Sequence, residues 1–60
     1  MSWKYKMIQC DKNLNMISFK KYSCGGCSKK RVRSSDIPYR LEDRHGKVVW
    51  KNNAYQELEK

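Results

Sequence analysis

Cys24-Gly25-Gly26-Cys27, with Cys10-Asp11-Lys12-Asn13 upstream, is the most informative stretch of this 60-residue chain. A Cys-x-x-Cys turn sets two thiolates where one tetrahedral ion can take both, and its two glycines let the backbone wrap and turn amides toward the sulfurs. Cross-links of this kind matter in a chain so short, because a small domain buries too little surface for an ample core. Three cysteines are an odd number, which does not suit a closed disulfide framework. They read instead as metal ligands or plain thiols of a reducing compartment.

Outward from that turn, alternation sets the elements. Trp3, Tyr5 and Met7 share one face and Lys4 and Lys6 the other, which predicts a strand over 3–9. Residues 10–13 are turn chemistry, and Leu14 to Tyr22 reads as a second strand, so 3–22 is an antiparallel hairpin with the 23–28 knuckle behind it. Lys29 to Arg33 is a strand or an exposed arm. Residues 34–46 carry two patterns. As a strand, Ile37, Tyr39 and Leu41 face one way and Asp43-Arg44-His45-Gly46 is a hairpin loop with Gly46 in a left-handed conformation. As a helix, Ser35 is the N-cap and Gly46 the stop. The strand is preferred because Lys47 to Lys51 is a clear strand for it to pair with. Asn52 or Asn53 caps a last helix over 54–59, with Gln56 placed for a capping box with Asn53, and Tyr55 and Leu58 placed for contact with the sheet. No internal repeat is visible. The expectation is one small, mainly β domain over 1–60: two antiparallel hairpins joined by the Cys-x-x-Cys knuckle, plus a short C-terminal helix.

Replacing Asn13 by Cys would give Cys-x-x-Cys…Cys-x-x-Cys, two knuckles pinned by a structural zinc. Cys10, Cys24 and Cys27 supply three ligands, and the only histidine, His45, is the preferred fourth; Asp11 or a water is the alternative. Disulfide exchange is a further use of Cys-x-x-Cys. That motif stands at a helix start after a strand in a larger βαβ pattern, for which this chain reads as too short. No nucleophile–base pair or convincing general base is apparent, so the chain does not read as an enzyme.

Ile8 to Asn13 followed by Ser23 to Lys30 resembles the small zinc-ribbon proteins, and among them the phage-encoded regulators of the Com type. The likeness covers the first half of the chain and departs from the pattern at Asn13. The basic Cys-x-x-Cys segment leading to Gly46-Lys47-Val48-Val49 is also similar to the small YlxR-type RNA-binding proteins. Both resemblances imply a zinc-ribbon-like fold or an RNA-binding role.

The net charge is +8, and no acidic residue occurs from Lys12 to Ser35. A basic half of this kind attracts polyanions by counterion release. Lys20, Lys21, Lys29, Lys30, Arg31 and Arg33 are the expected phosphate contacts, with Tyr22 as the exposed stacking aromatic; Trp3 and Trp50 read first as core. The expected role is a regulatory protein that binds RNA or another single strand. The alternative is a metal-free module that docks on an acidic protein surface of a larger machine. With no apolar span or leader-like N-terminus, no membrane partner and a cytoplasmic location are expected.

Overall fold

A computed structural model describes residues 3–60. The elements run β1 (Tyr5–Cys10), β2 (Met16–Tyr22), α1 (Gly25–Val32), β3 (Tyr39–Asp43), β4 (Val48–Lys51) and α2 (Asn53–Glu59). The strands form one antiparallel sheet in the order β2-β1-β3-β4, so both expected hairpins are present; within 34–46 the strand alternative holds, but it runs over Tyr39–Asp43, leaving Ile37 outside it and taking in Asp43. The chain is a small α/β domain rather than a mainly β one. The 23–28 knuckle and the basic arm after it are corrected to a helix, α1, which carries the chain from β2 to β3. Because β1 lies between those strands, β2-α1-β3 is a split βαβ unit. Among the described residues, no helix is long and apolar enough to cross a membrane.

Register assigns the two faces of the sheet. Phe19, Ile8, Arg40 and Lys51 form one cross-strand row, and Lys21, Lys6 and Glu42 the next row on the same face. The other face carries Tyr22, Tyr5 and Asp43, then Lys20, Met7, Leu41 and Trp50. Helix α1 lies on this second face: a Cβ at Gly25 would stand 3.3 Å from the Tyr5 ring, and Val32 and Arg31 line a groove with Met7 and Tyr39. Helix α2 lies on the first face, where its Tyr55 packs with Ile8, Cys10 and Leu14. The core is therefore two thin layers, Met7 and Leu41 on one side and Ile8, Cys10 and Tyr55 on the other.

Asn52 joins the layers. It is 1% exposed, and all of its hydrogen-bonding capacity is directed at backbone. Oδ1 accepts from Tyr39 N–H and Tyr55 N–H, both at 3.0 Å, while Nδ2 donates to the carbonyls of Val32 and Ile37, both at 2.9 Å. One side chain thus caps α2 and fastens the end of α1 and the start of β3. The capping box expected of Gln56 does not form; its Nε2 donates to the Lys51 carbonyl instead. Leu58, expected against the sheet, is exposed, because Tyr55 alone fills the contact on so short a helix.

The two hairpin loops share a backbone plan that the sequence reading missed. Asp11 Oδ1 accepts from Asn13 N–H and Asn15 N–H at 2.8 and 2.9 Å; Asp43 Oδ1 accepts from His45 N–H and Lys47 N–H, each at 2.9 Å. The third residue after each Asp has positive φ, 65° at Leu14 and 85° at Gly46. Gly46 is there for its conformational freedom. Leu14 adopts the same conformation while packing on the Ile8–Cys10–Tyr55 cluster, and that contact offsets a backbone cost of about 1 kcal/mol.

Candidate nucleic-acid interface

The proposed zinc ligands do not converge. Cys10 ends β1 beside the β1–β2 loop, whereas Cys24 follows β2 at the opposite end of the hairpin, where Tyr22 pairs with Tyr5. At about 3.3 Å per residue, the strands hold the two ends roughly 17 Å apart. His45 sits in the β3–β4 loop, and β3 likewise pairs Asp43 with Tyr5, at the end away from Cys10. Among the described residues, no three of His, Cys, Asp and Glu gather closely enough to hold a metal ion. Only Cys24 and Cys27 meet, with their sulfurs 3.2 Å apart. Two ligands from one chain do not make the closed four-ligand zinc site that the spacing suggested.

The cysteines also differ in chemistry. Cys10 is a buried core residue, 1% exposed, and burial raises its thiol pKa although Arg40 pulls the other way. Cys24 is exposed at the N-cap of α1. Its sulfur makes no well-formed capping bond, yet the Cys27 and Gly26 amides favour the thiolate and lower its pKa. Contact with Cys24 raises that of Cys27.

The charge of the first half is unspent. The ion pairs among the described residues are Arg40–Glu42, Lys51–Glu59 and Lys60–Glu57. None of Lys6, Lys20, Lys21, Lys29, Lys30, Arg31 and Arg33 takes part in one. Two of the six carboxylates, Asp11 and Asp43, are committed to loop amides. The uncompensated cations surround β2, an edge strand exposed from Met16 to Lys21.

On the α2 face, that short helix covers Ile8 and leaves the β2 half of the sheet open. Phe19 is 47% exposed there. The Lys6 ammonium stands 5.1 Å from the Phe19 ring centroid, and the Lys21 ammonium 5.2 Å from that of Trp3, both within cation–π range. On the other face, Lys20, Tyr22 and Arg31 line a groove of about 350 Å³ between β2 and α1. The expected phosphate contacts are thus divided: Lys21 on one face, Lys20 and Arg31 on the other, and Lys29, Lys30 and Arg33 along α1 and its C-terminal end, where cations also suit the helix dipole. Tyr22, expected to be exposed, is half-buried, as are Trp3 and Trp50. Lys6 and Phe19, which the sheet brings together, were not among the candidate residues read from the sequence; a large aromatic two positions before Lys21 was the only local signal. Comparison with protein-family models, characterised proteins and solved structures finds no match for this chain.

Proposed function

We propose that this chain is a small basic regulatory protein that binds single-stranded nucleic acid, RNA included, along β2 and the open half of its sheet. The observation that carries this reading is the pairing of exposed Phe19 with Lys6, and of Trp3 with Lys21, beside an edge strand whose cations have no carboxylate partners. A base stacks on Phe19, which contributes about 1–3 kcal/mol and is indifferent to base identity. Lys6 and Lys21 meet the flanking phosphates, and Lys20 and Arg31 continue the basic track over the strand's edge. Contacts of this kind give affinity and register without selecting a sequence.

The test is fluorescence anisotropy with a labelled single-stranded oligonucleotide across a salt series. Four phosphate contacts predict a slope of log K against log salt of about −3, and Phe19→Ala weakens binding roughly five- to a hundred-fold. A flat salt response, or no change in Phe19→Ala, rejects the reading.

A protein-docking reading is favoured by one separate observation. Among the described residues no strand lies beside the outer backbone of β2, and Met16, Ile17 and Phe19 are exposed on it. Such an edge accepts a strand from a partner. Capture from cell extract before and after nuclease digestion separates the two: partners that survive digestion are held by protein contacts.

A further inference from the structure

The Cys24–Cys27 pair is left unused by the nucleic-acid reading. The two sulfurs are 3.2 Å apart and both side chains are exposed, so they need to close by little more than 1 Å to reach a bond of about 2.05 Å. The pair stands at the start of an eight-residue helix that directly follows a strand, within the split βαβ unit β2-α1-β3. This is the setting that the length of the chain argued against. Cys24 sits at the N-cap and Cys27 in the first turn, with Gly25 lying close on the Tyr5 ring and no atom outside the helix within 4 Å of where Gly26 would carry a Cβ. Cys24 itself is exposed, so a small disulfide can reach it. Cys10, in the core at the far end of β1, takes no part.

We propose that Cys24 and Cys27 form a dithiol site that exchanges with disulfides, Cys24 attacking and Cys27 resolving. In the first step the Cys24 thiolate attacks one sulfur of a small disulfide. That S–S bond breaks, a mixed disulfide forms at Cys24, and one thiolate leaves. In the second step Cys27 gives its proton to solvent and attacks Cys24 Sγ. The Cys24–Cys27 bond forms and the second thiolate leaves. The protein loses two electrons and two protons, and the external disulfide, which is the oxidant, is reduced to two thiols.

The experiment equilibrates the full chain with mixtures of reduced and oxidised glutathione, quenches by alkylation and reads masses and peptide maps. The expected product has lost two hydrogens, joins residues 24 and 27 and leaves Cys10 alkylatable only after unfolding. Cys27→Ser accumulates a glutathione adduct on Cys24, at least tenfold faster than Cys24→Ser accumulates one on Cys27. The proposal is overturned if the folded protein keeps both thiols in excess oxidised glutathione, or if the two variants react at equal rates. It is also overturned if the purified protein carries one zinc per two chains that shields both sulfurs, which would make the pair half of a metal site shared by two copies.

Discussion

Asn52→Asp replaces one amide nitrogen by an oxygen at the point where four segments meet. Oδ1 keeps its role, since a carboxylate still accepts from Tyr39 N–H and Tyr55 N–H. The loss is on the other side: an oxygen replaces Nδ2 and faces the Val32 and Ile37 carbonyls, at positions that now hold 2.9 Å hydrogen bonds. Each lost bond is worth about 1 kcal/mol, and each carbonyl left without a donor adds roughly 1 kcal/mol or more. The sum is about 4 kcal/mol before any cost of burying a charge at a site only 1% exposed. The whole chain is held by about 3–9 kcal/mol at 0.05–0.15 kcal/mol per residue, so the variant sits near its unfolding threshold at neutral pH. Protonation partly rescues it, because a carboxylic acid can donate to one of the two carbonyls. Burial raises the folded pKa of the introduced carboxyl above its unfolded value, so stability is highest in acid and falls as pH rises, by up to about 1.4 kcal/mol per unit, until the folded pKa is passed. The assay is urea denaturation followed by circular dichroism at several pH values, always as the difference from the parent chain. A variant within about 1 kcal/mol of the parent at pH 7, with no pH trend in that difference, refutes the assignment of Asn52 as the central fastening.

Other expectations are more local. Charge reversal at both Lys6 and Lys21 should weaken single-strand binding by at least tenfold and make the salt slope shallower by about 1.4, because two phosphate contacts are lost. Gly46→Ala should cost about 1 kcal/mol in thermal denaturation, all of it backbone strain at φ 85°, because a Cβ there meets nothing within 4 Å. Gly26→Ala should instead be neutral or stabilising by up to about 1 kcal/mol, since its Cβ also enters open space and a helix favours Ala over Gly. The Asp43 carboxyl is held below its ordinary pKa, chiefly by the Lys47 N–H, so its support of the β3–β4 loop is complete at neutral pH and lost as pH falls through the depressed value. Amide shifts of Lys47 and His45 should follow that titration, and Asp43→Asn, which keeps the acceptor, should abolish it.

The strands were legible because alternation acts on immediate neighbours: Tyr5 and Met7 against Lys6, or Leu41 against Arg40 and Glu42, declare a pleated surface without tertiary information. Gly46 was legible for the same reason, being a local backbone requirement, and Asn52 only as one of two candidate caps beside Asn53. Helix α1 was not. It begins with two glycines, contains a single large apolar residue, Val32, and buries only Ser28, so no apolar stripe marks it. Its seat on Tyr5 is a tertiary fact. The convergence of Cys10 on the Cys24–Cys27 turn was already at odds with the strand reading beside it. If Leu14 to Tyr22 is an extended strand, Cys10 and Cys24 lie at its two ends, and no ion spans that length. The open sheet face was hidden because seeing it required knowing where α2 stops.

The order β-β-α occurs twice, and the two hairpin loops follow one plan. The sheet bonds between these halves are confined to the seam where β1 meets β3. Residues 33–38 are the thread between them. Two molecules could exchange halves through that thread and remake every seam bond, together with the Asn52 link to Val32, in an intertwined pair. Concentration, rather than any new contact, would then decide between the solitary and the interlocked form, and shortening the thread would favour the latter.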